Sequence, residues 1–375
     1  MPKRVLLMYV NYNSGHQRSS IAIENSLKTL APDIQILNIN GFNYTNPILE
    51  RIINKTYMAV IKRQPQVWDY LYDNPKVFKK AQALRDFLHN MNCEKLQGLF
   101  MDFKPDAVAC TQALPCGMVA DLKSRNPSIK TKLFGVLTDH APHMYWIYPT
   151  VDYFIVPSQK AQERFIEQGV EREKIKVFGI PIDPKFNNKV DKKIVRMQLG
   201  IDEKKPVVLV MGGGHGYGPI KDIVLNLDEA GGNFQLIVIT GINARLFKWL
   251  ERERPQFKKT IIPLEFVENV NELMDIADII ITKPGGLTTA EALAKGLPMI
   301  VTSPIPGQEA KNAQFLTSAG AAEEVDDVAL VGNKTAELLS NPLKLKSMRE
   351  AALKHGHPDS ATKLAKLIYD SIHPL

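Results

Sequence analysis

Ile281–Val301 reads ITKPGGLTTAEALAKGLPMIV. The β-branched run Ile279 to Ile281 stops at Lys283-Pro284-Gly285-Gly286. A helix-forming stretch carrying Thr288, Thr289 and Glu291 starts at once, and a second apolar run, Met299 to Val301, follows. Strand, glycine turn, helix and strand in immediate succession make up a unit of parallel sheet. The turn also leaves backbone N–H groups and the positive end of a helix dipole aimed at one spot, where an anion can sit.

The same alternation extends in both directions. Apolar runs at Val5 to Val10, Ile34 to Ile39, Ala107 to Cys110, Leu133 to Leu137, Tyr153 to Val156 and Ile175 to Phe178 predict strands in the first half. Val207 to Met211, Phe234 to Ile239, Thr260 to Ile262, Ile279 to Ile281 and Met299 to Val301 predict them in the second. The chain is 375 residues long, enough for about two domains at roughly 150 residues each. GIPIDPKFNNK, Gly179 to Lys189, interrupts regular structure with turn formers and two prolines, and marks the junction. The expected class is α/β with two Rossmann-like, doubly wound domains facing a cleft. Residues 1–180 form the first, 181–357 the second, and 358–375 a closing helix that returns to the first. Ligands of such sheets bind beyond the carboxyl ends of the strands.

The loop after Val210 reads MGGGHGYGPIKD, with Gly212, Gly213, Gly214, Gly216 and Gly218. Glycines let the backbone approach a ligand and take positive φ. The spacing is not GxGxxG, no Lys-Ser/Thr closes a P-loop, and no acidic residue ends the next strand, which argues against a dinucleotide fold and an NTPase. Around Gly285 and Gly286, the Thr288 and Thr289 hydroxyls suit a diphosphate and Glu291 suits a ribose diol, although an acid near a helix start is also favoured by the dipole alone. SPIPGQEAKNAQFL places Gln308, Glu309 and Asn312 at another helix start, where they can bind sugar hydroxyls or merely cap the helix.

The net charge of +7 suits an anionic partner, without choosing among nucleotide, acidic membrane and nucleic acid. No recognition motif or aromatic-basic platform supports nucleic acid. Cys93, Cys110 and Cys116 lack metal-ligand or CxxC spacing and fit a reducing compartment. Val5 to Val10 is too short for a signal peptide and lacks a cleavage site, and no apolar stretch reaches about 18 residues, so any membrane role is peripheral. Asn46 to Lys80 supports that role. Ile48, Leu49, Ile52, Ile53, Tyr57, Val60 and Ile61 fall on one helical face among Arg51, Lys55 and Lys62, with Trp68, Tyr70 and Tyr72 beyond, as at an anionic interface or against a core.

GGGHG, TKPGGLTTAEA and PGQEAKNA, in this order and with SGHQRS near the amino terminus, resemble the monogalactosyldiacylglycerol synthases and processive diacylglycerol glucosyltransferases. They are more distantly similar to the N-acetylglucosaminyltransferase of peptidoglycan lipid precursors. The resemblance implies a GT-B fold and an inverting transferase that uses a UDP-hexose donor and a diacylglycerol acceptor. It needs no metal or cofactor, and acts in the cytoplasm on the inner face of the membrane. It also implies that Gly213, Gly214, His215, Lys283, Gly285, Gly286 and Thr288 or Thr289 hold the diphosphate side, that Glu291 takes the ribose, and that Gln308, Glu309 and Asn312 take the hexose.

His16, after Gly15 in the loop beyond the first strand, matches the family's favoured base. Histidine's unperturbed pKa near 6.5 suits removal of the acceptor proton. Gly15, and Asp139, His140 and Trp146 in TDHAPHMYW, fall on the acceptor side by the same resemblance. His140 and His143 are spaced like a partial metal site, but no HExxH accompanies them. A UDP-sugar 2-epimerase of similar fold, a glycosyltransferase acting on another lipid acceptor and a non-catalytic UDP-sugar sensor are the competing readings.

Overall fold

The computed structural model describes residues 2–45, 94–140, 144–305 and 307–373. The amphipathic segment 46–80, Cys93 and His143 lie outside the described residues. The chain divides into two compact units: residues 1–184 with 305–308 and 359–375, and residues 185–304 with 309–358.

The first unit holds a six-stranded parallel sheet in the order β2-β1-β3-β4-β5-β6. Its strands are β1 (Arg4–Tyr9), β2 (Gln35–Asn40), β3 (Ala107–Cys110), β4 (Lys132–Val136), β5 (Tyr153–Val156) and β6 (Ile175–Val177). Side chains alternate between the faces of a strand, so a sheet covered on both sides needs apolar residues at every position. β1 meets that demand from Val5 to Tyr9. Val5 and Leu7 pack with Ile23 and Leu27 of the Gly15–Leu30 helix and with Leu364, Ile368 and Ile372 of the Ser360–Ile372 helix. Leu6 and Met8 face the other way, onto Cys116, Val119 and Leu122 of the Ala113–Arg125 helix. Ser360, fully buried, fastens the last helix by donating to the Ile180 carbonyl at 2.8 Å and accepting from the Ile182 N–H at 3.3 Å. Cys110 and Cys116 are buried free thiols, and burial pushes the Cys110 thiol well above its usual range.

The second unit repeats the plan with strand order β12-β11-β10-β7-β8-β9, all parallel. The strands are β7 (Val207–Met211), β8 (Gln235–Ile239), β9 (Ile261–Leu264), β10 (Ile279–Thr282), β11 (Met299–Val301) and β12 (Ala322–Glu324). Val208, Val210, Leu236, Val238, Ile279 and Ile281 pack against Ile223, Val224 and Leu227 of the Ile220–Glu229 helix. Among the described residues no helix is long and apolar enough to cross a membrane.

Each strand order contains one point where the direction of winding reverses, and a crevice opens there beyond the carboxyl ends of the two flanking strands. In the first unit this point lies between β1 and β3, and in the second between β7 and β10. The loops after those four strands are the ones that carry SGHQ, Thr111, the glycine loop and Lys-Pro-Gly-Gly.

Candidate functional site

At the first reversal point the chain leaves β1 through Asn11 and Asn13, both at positive φ (65° and 55°), a region asparagine tolerates better than most residues. It then enters the Gly15–Leu30 helix through a reciprocal cap. Ser14 Oγ accepts from the Gln17 N–H at 3.3 Å, and Gln17 Oε1 accepts from the Asn13 N–H at 2.7 Å. A Ser-x-x-Gln capping pair thus fixes the first turn and sets His16 as its second residue. Gly15 is exposed at the first helical position.

The half-buried His16 ring lies against two neighbouring strands. Its Nδ1 stands 2.9 Å from the Thr111 carbonyl, beyond β3, and 2.8 Å from Thr138 Oγ1, beyond β4. Thr111 Oγ1 in turn donates to the His16 carbonyl at 2.9 Å. Burial pulls the imidazole below its usual pKa, against the negative charge of half-buried Asp139 and the bond to Thr111. The ring is therefore neutral at neutral pH.

The sign of the Asp139 effect gives a prediction. Asp139→Asn should lower the pH at which His16 takes up its proton, as read by NMR titration of the ring, because the carboxylate is what holds the His16 pKa up. The linked stability effect has a fixed direction too. A histidine whose folded pKa is depressed costs stability as pH falls through about 6.5, since the unfolded chain then takes a proton that the folded chain refuses. Denaturant midpoints at pH 5 and 7 should therefore differ more for D139N than for the parent.

His140 and Trp146 are both buried. His140 is 7% exposed, and Trp146, 4% exposed, is part of the apolar core with Val119, Leu133 and Phe154. The large apolar ring after β4 covers the sheet there.

At the second reversal point the glycine loop turns on itself. Tyr217 N–H donates to the Gly212 carbonyl at 3.1 Å, and Gly216 N–H to the Gly213 carbonyl at 3.0 Å. The loop after β8 braces it: Ile242 N–H donates to the Gly214 carbonyl at 3.0 Å and Asn243 Nδ2 to the Gly216 carbonyl at 3.4 Å. The helix that follows, Ile220–Glu229, has no side-chain cap, and neither has Gly286–Ala294, whose N-cap is Gly285. The first N–H groups of both helices therefore lack an intrahelical partner.

Lys283 joins the two loops. A Cβ at Gly213 would stand 4.0 Å from its Cε, its charge contributes to lowering the pKa of half-buried His215 after burial, and its Nζ lies 2.5 Å from Oε1 of Glu309. Glu309 is 8% exposed. Gly213, His215, Lys283 and Glu309 thus form one cluster in which a lysine is held beside a glycine turn by a buried carboxylate. His215 also stacks on the exposed Tyr217 ring, with 5.2 Å between centroids.

The two threonines part company. Thr289 is fully buried, and its hydroxyl donates to the carbonyls of Gly285 and Gly286 at 2.9 and 3.0 Å, inside its own helix. Thr288 is half-buried on the face it shares with half-buried Glu291, three residues on. Asn312, also fully buried, donates from Nδ2 to the Pro284 carbonyl at 3.0 Å, so its amide braces the Lys-Pro-Gly-Gly turn. The Thr289 hydroxyl and the Asn312 amide N–H thus both bond to the backbone of this turn. Gln308 is half-buried at the start of the Gln308–Ser318 helix. Asn312→Leu should lower stability by about 1 to 3 kcal/mol, the cost of an unsatisfied buried carbonyl, as read from a urea melt.

Residues 16–182 match the monogalactosyldiacylglycerol (MGDG) synthase family, and residues 207–364 match the glycosyltransferase family 28 C-terminal domain. A processive diacylglycerol beta-glucosyltransferase of Bacillus pumilus (strain SAFR-032) is 28% identical over 352 residues, 93% of this chain and 90% of its own. The protein of that name from Bacillus cereus (strain B4264) is 29% identical over 372 residues, 99% and 94% of the two chains. Among solved structures, MurG of Acinetobacter baumannii superimposes with a TM-score of 0.63 at 15% identity, over 98% of this chain and 100% of its own. A UDP-GlcNAc 2-epimerase from Neisseria meningitidis, bound to UDP-GlcNAc, gives 0.62 at 14% identity, over 98% and 100%. Both structural likenesses concern the GT-B fold, which the expected fold class anticipated.

Proposed function

Because the chain belongs to the glycosyltransferases, with an MGDG-synthase amino-terminal domain and a family 28 carboxyl-terminal domain, we propose that it moves a hexose from a UDP-sugar to 1,2-diacylglycerol. The names of its relatives favour glucose as that hexose and a β-linked product. Since the donor carries its sugar in the α configuration, the reaction inverts the anomeric centre.

The observation that carries the reading is the second unit's reversal point. Two uncapped helix starts and the clamped Lys283 there offer a diphosphate both backbone donors and a positive charge. In this reading the N–H groups of residues 286–288 and of the glycine loop hold the diphosphate with Lys283 and Thr288. Glu291 takes the ribose, and Gln308 and Glu309 take the hexose. His16 removes the proton from the acceptor hydroxyl as its oxygen bonds to the anomeric carbon. The bond from that carbon to the β-phosphate oxygen breaks, its electrons stay with UDP, and the fixed donors stabilise the new charge. The reaction needs no metal, and the enzyme works peripherally on the inner face of the cell membrane, with residues 46–80 on an anionic surface.

Purified protein, diacylglycerol in anionic vesicles, and UDP-glucose or UDP-galactose in separate tubes test this by thin-layer chromatography. A glycolipid with UDP-glucose, unchanged by EDTA, is expected, and slower-moving bands would mark repeated addition. Intact UDP binding without glycolipid in either tube would overturn the acceptor assignment. Turnover of the UDP-sugar to an epimer in the same tubes would turn the reading to an epimerase.

A further inference from the structure

The hydrogen bonds around His16 determine which of its two nitrogens carries the proton. Nδ1 lies 2.9 Å from the Thr111 carbonyl oxygen, which can only accept. That contact favours a proton on Nδ1, since a lone pair there would face the lone pairs of that oxygen. Thr138 Oγ1, 2.8 Å from the same nitrogen, also lies 3.3 Å from the Thr111 carbonyl. Its single proton goes to that carbonyl, and its own lone pair then receives the Nδ1–H alongside it. The threonine is 5% exposed, and Thr111, at its side, is fully buried.

We infer that Thr138 is a positioning residue: together with the Thr111 carbonyl it locks His16 in the tautomer protonated at Nδ1, which leaves Nε2 as the atom that takes the acceptor's proton. This rests on the reading of His16 as the base.

Three features make the arrangement suit that task. The tautomer of a histidine is set by the hydrogen bond its other nitrogen makes, and here the partner is a backbone carbonyl held in a closed triangle with Thr138. The same bonds serve the neutral ring and the imidazolium, because Nδ1 donates in both, so proton uptake at Nε2 demands no rearrangement of its surroundings. The clamp is also uncharged. The ionisable group whose charge acts on the ring is Asp139, the residue after Thr138, so orientation and electrostatic support come from adjacent positions of one loop. Thr111 Oγ1 adds a second tie by donating to the His16 carbonyl, which fixes the backbone that carries the ring.

Thr138→Val removes the hydroxyl at nearly constant volume and Thr138→Ser restores it. The full chain carrying each substitution, together with His16→Gln, is compared by steady-state glycolipid formation and by NMR of the protein labelled with 15N-histidine. The His16 signal is the one lost in H16Q. The parent is expected to show a single Nδ1–H tautomer. T138V is expected to show mixed tautomers and a kcat about tenfold lower, with both KM values within about twofold, and T138S should recover both. The loss stays well short of the ~10⁴-fold drop that a wrong tautomer causes in a serine protease triad, because the Thr111 carbonyl remains.

A T138V protein that folds and keeps both the single tautomer and its kcat would overturn the inference. So would an Nε2–H tautomer in the parent, which needs no variant at all. If H16Q keeps its kcat, the reading of His16 as the base falls, and the positioning role falls with it.

Discussion

His16→Gln is expected to lower kcat by roughly 10²- to 10⁴-fold, the range that general bases contribute, while UDP binds as before. The two parts of that expectation come from separate regions of the chain. The ring is fixed by Thr111 and Thr138 in the first unit, whereas Lys283, Glu309 and the glycine turns lie in the second. Glutamine is uncharged and of similar size, but it cannot accept a proton at neutral pH. Calorimetric titration with UDP against the parent, beside single-turnover transfer rates, separates binding from chemistry. Loss of UDP affinity in H16Q would show that the histidine serves the donor instead.

Gly216→Ala should have an effect of similar size by a different route. A Cβ there would stand 2.0 Å from the Thr240 carbonyl oxygen, so the glycine loop and the loop after β8 cannot both keep their places. Gly241 approaches Gly214 in the same manner, at 2.3 Å. The expected result for G216A is a UDP affinity reduced by about a hundredfold or more and a lowered melting temperature, since the displaced backbone is also what offers N–H groups to the diphosphate. Gly213→Ala supplies the contrast. Its Cβ meets nothing nearer than Lys283 Cε at 4.0 Å, so its cost is that of φ +72° alone, about 1 to 2 kcal/mol, or roughly five- to thirtyfold if it all falls on binding. Equal losses in G213A and G216A would refute the steric argument.

Most strands were legible because a parallel sheet buried on both faces leaves uninterrupted apolar runs, and Ala107–Cys110, Tyr153–Val156, Val207–Met211 and Met299–Val301 fall where those runs lie. β12, Ala322–Glu324, left no such trace. It is a three-residue edge strand that carries two glutamates, and its pairing with β11 is set by the sheet and not by its own composition. At the site, glycine-rich turns and helix starts can be read because they are local. What lies across the fold cannot. Thr138 reads as the polar end of an apolar run, and only the packing of β1, β3 and β4 side by side brings it to His16. Asn312 and Thr289 look like ligand groups in a list of residues, and burial turns them to the backbone. One local signal was there to be used: Ser14-Gly15-His16-Gln17 is a capping pair that fixes where the helix starts and hence where the histidine stands.

The Ser360–Ile372 helix has a bearing on how the molecule is made. Leu364, Ala365, Ile368 and Ile372 fill the core of the first unit, beside Val5, Leu7 and Ile23. On the ribosome the first 184 residues emerge before that helix does, and one face of their sheet then has only the Gly15–Leu30 helix to cover it, while the second unit, complete at residue 358, can already close. Nascent chains usually fold from the amino-terminal domain onward. Here the first unit cannot complete its core until the last helix has been made, whereas every residue of the second precedes that helix in the chain.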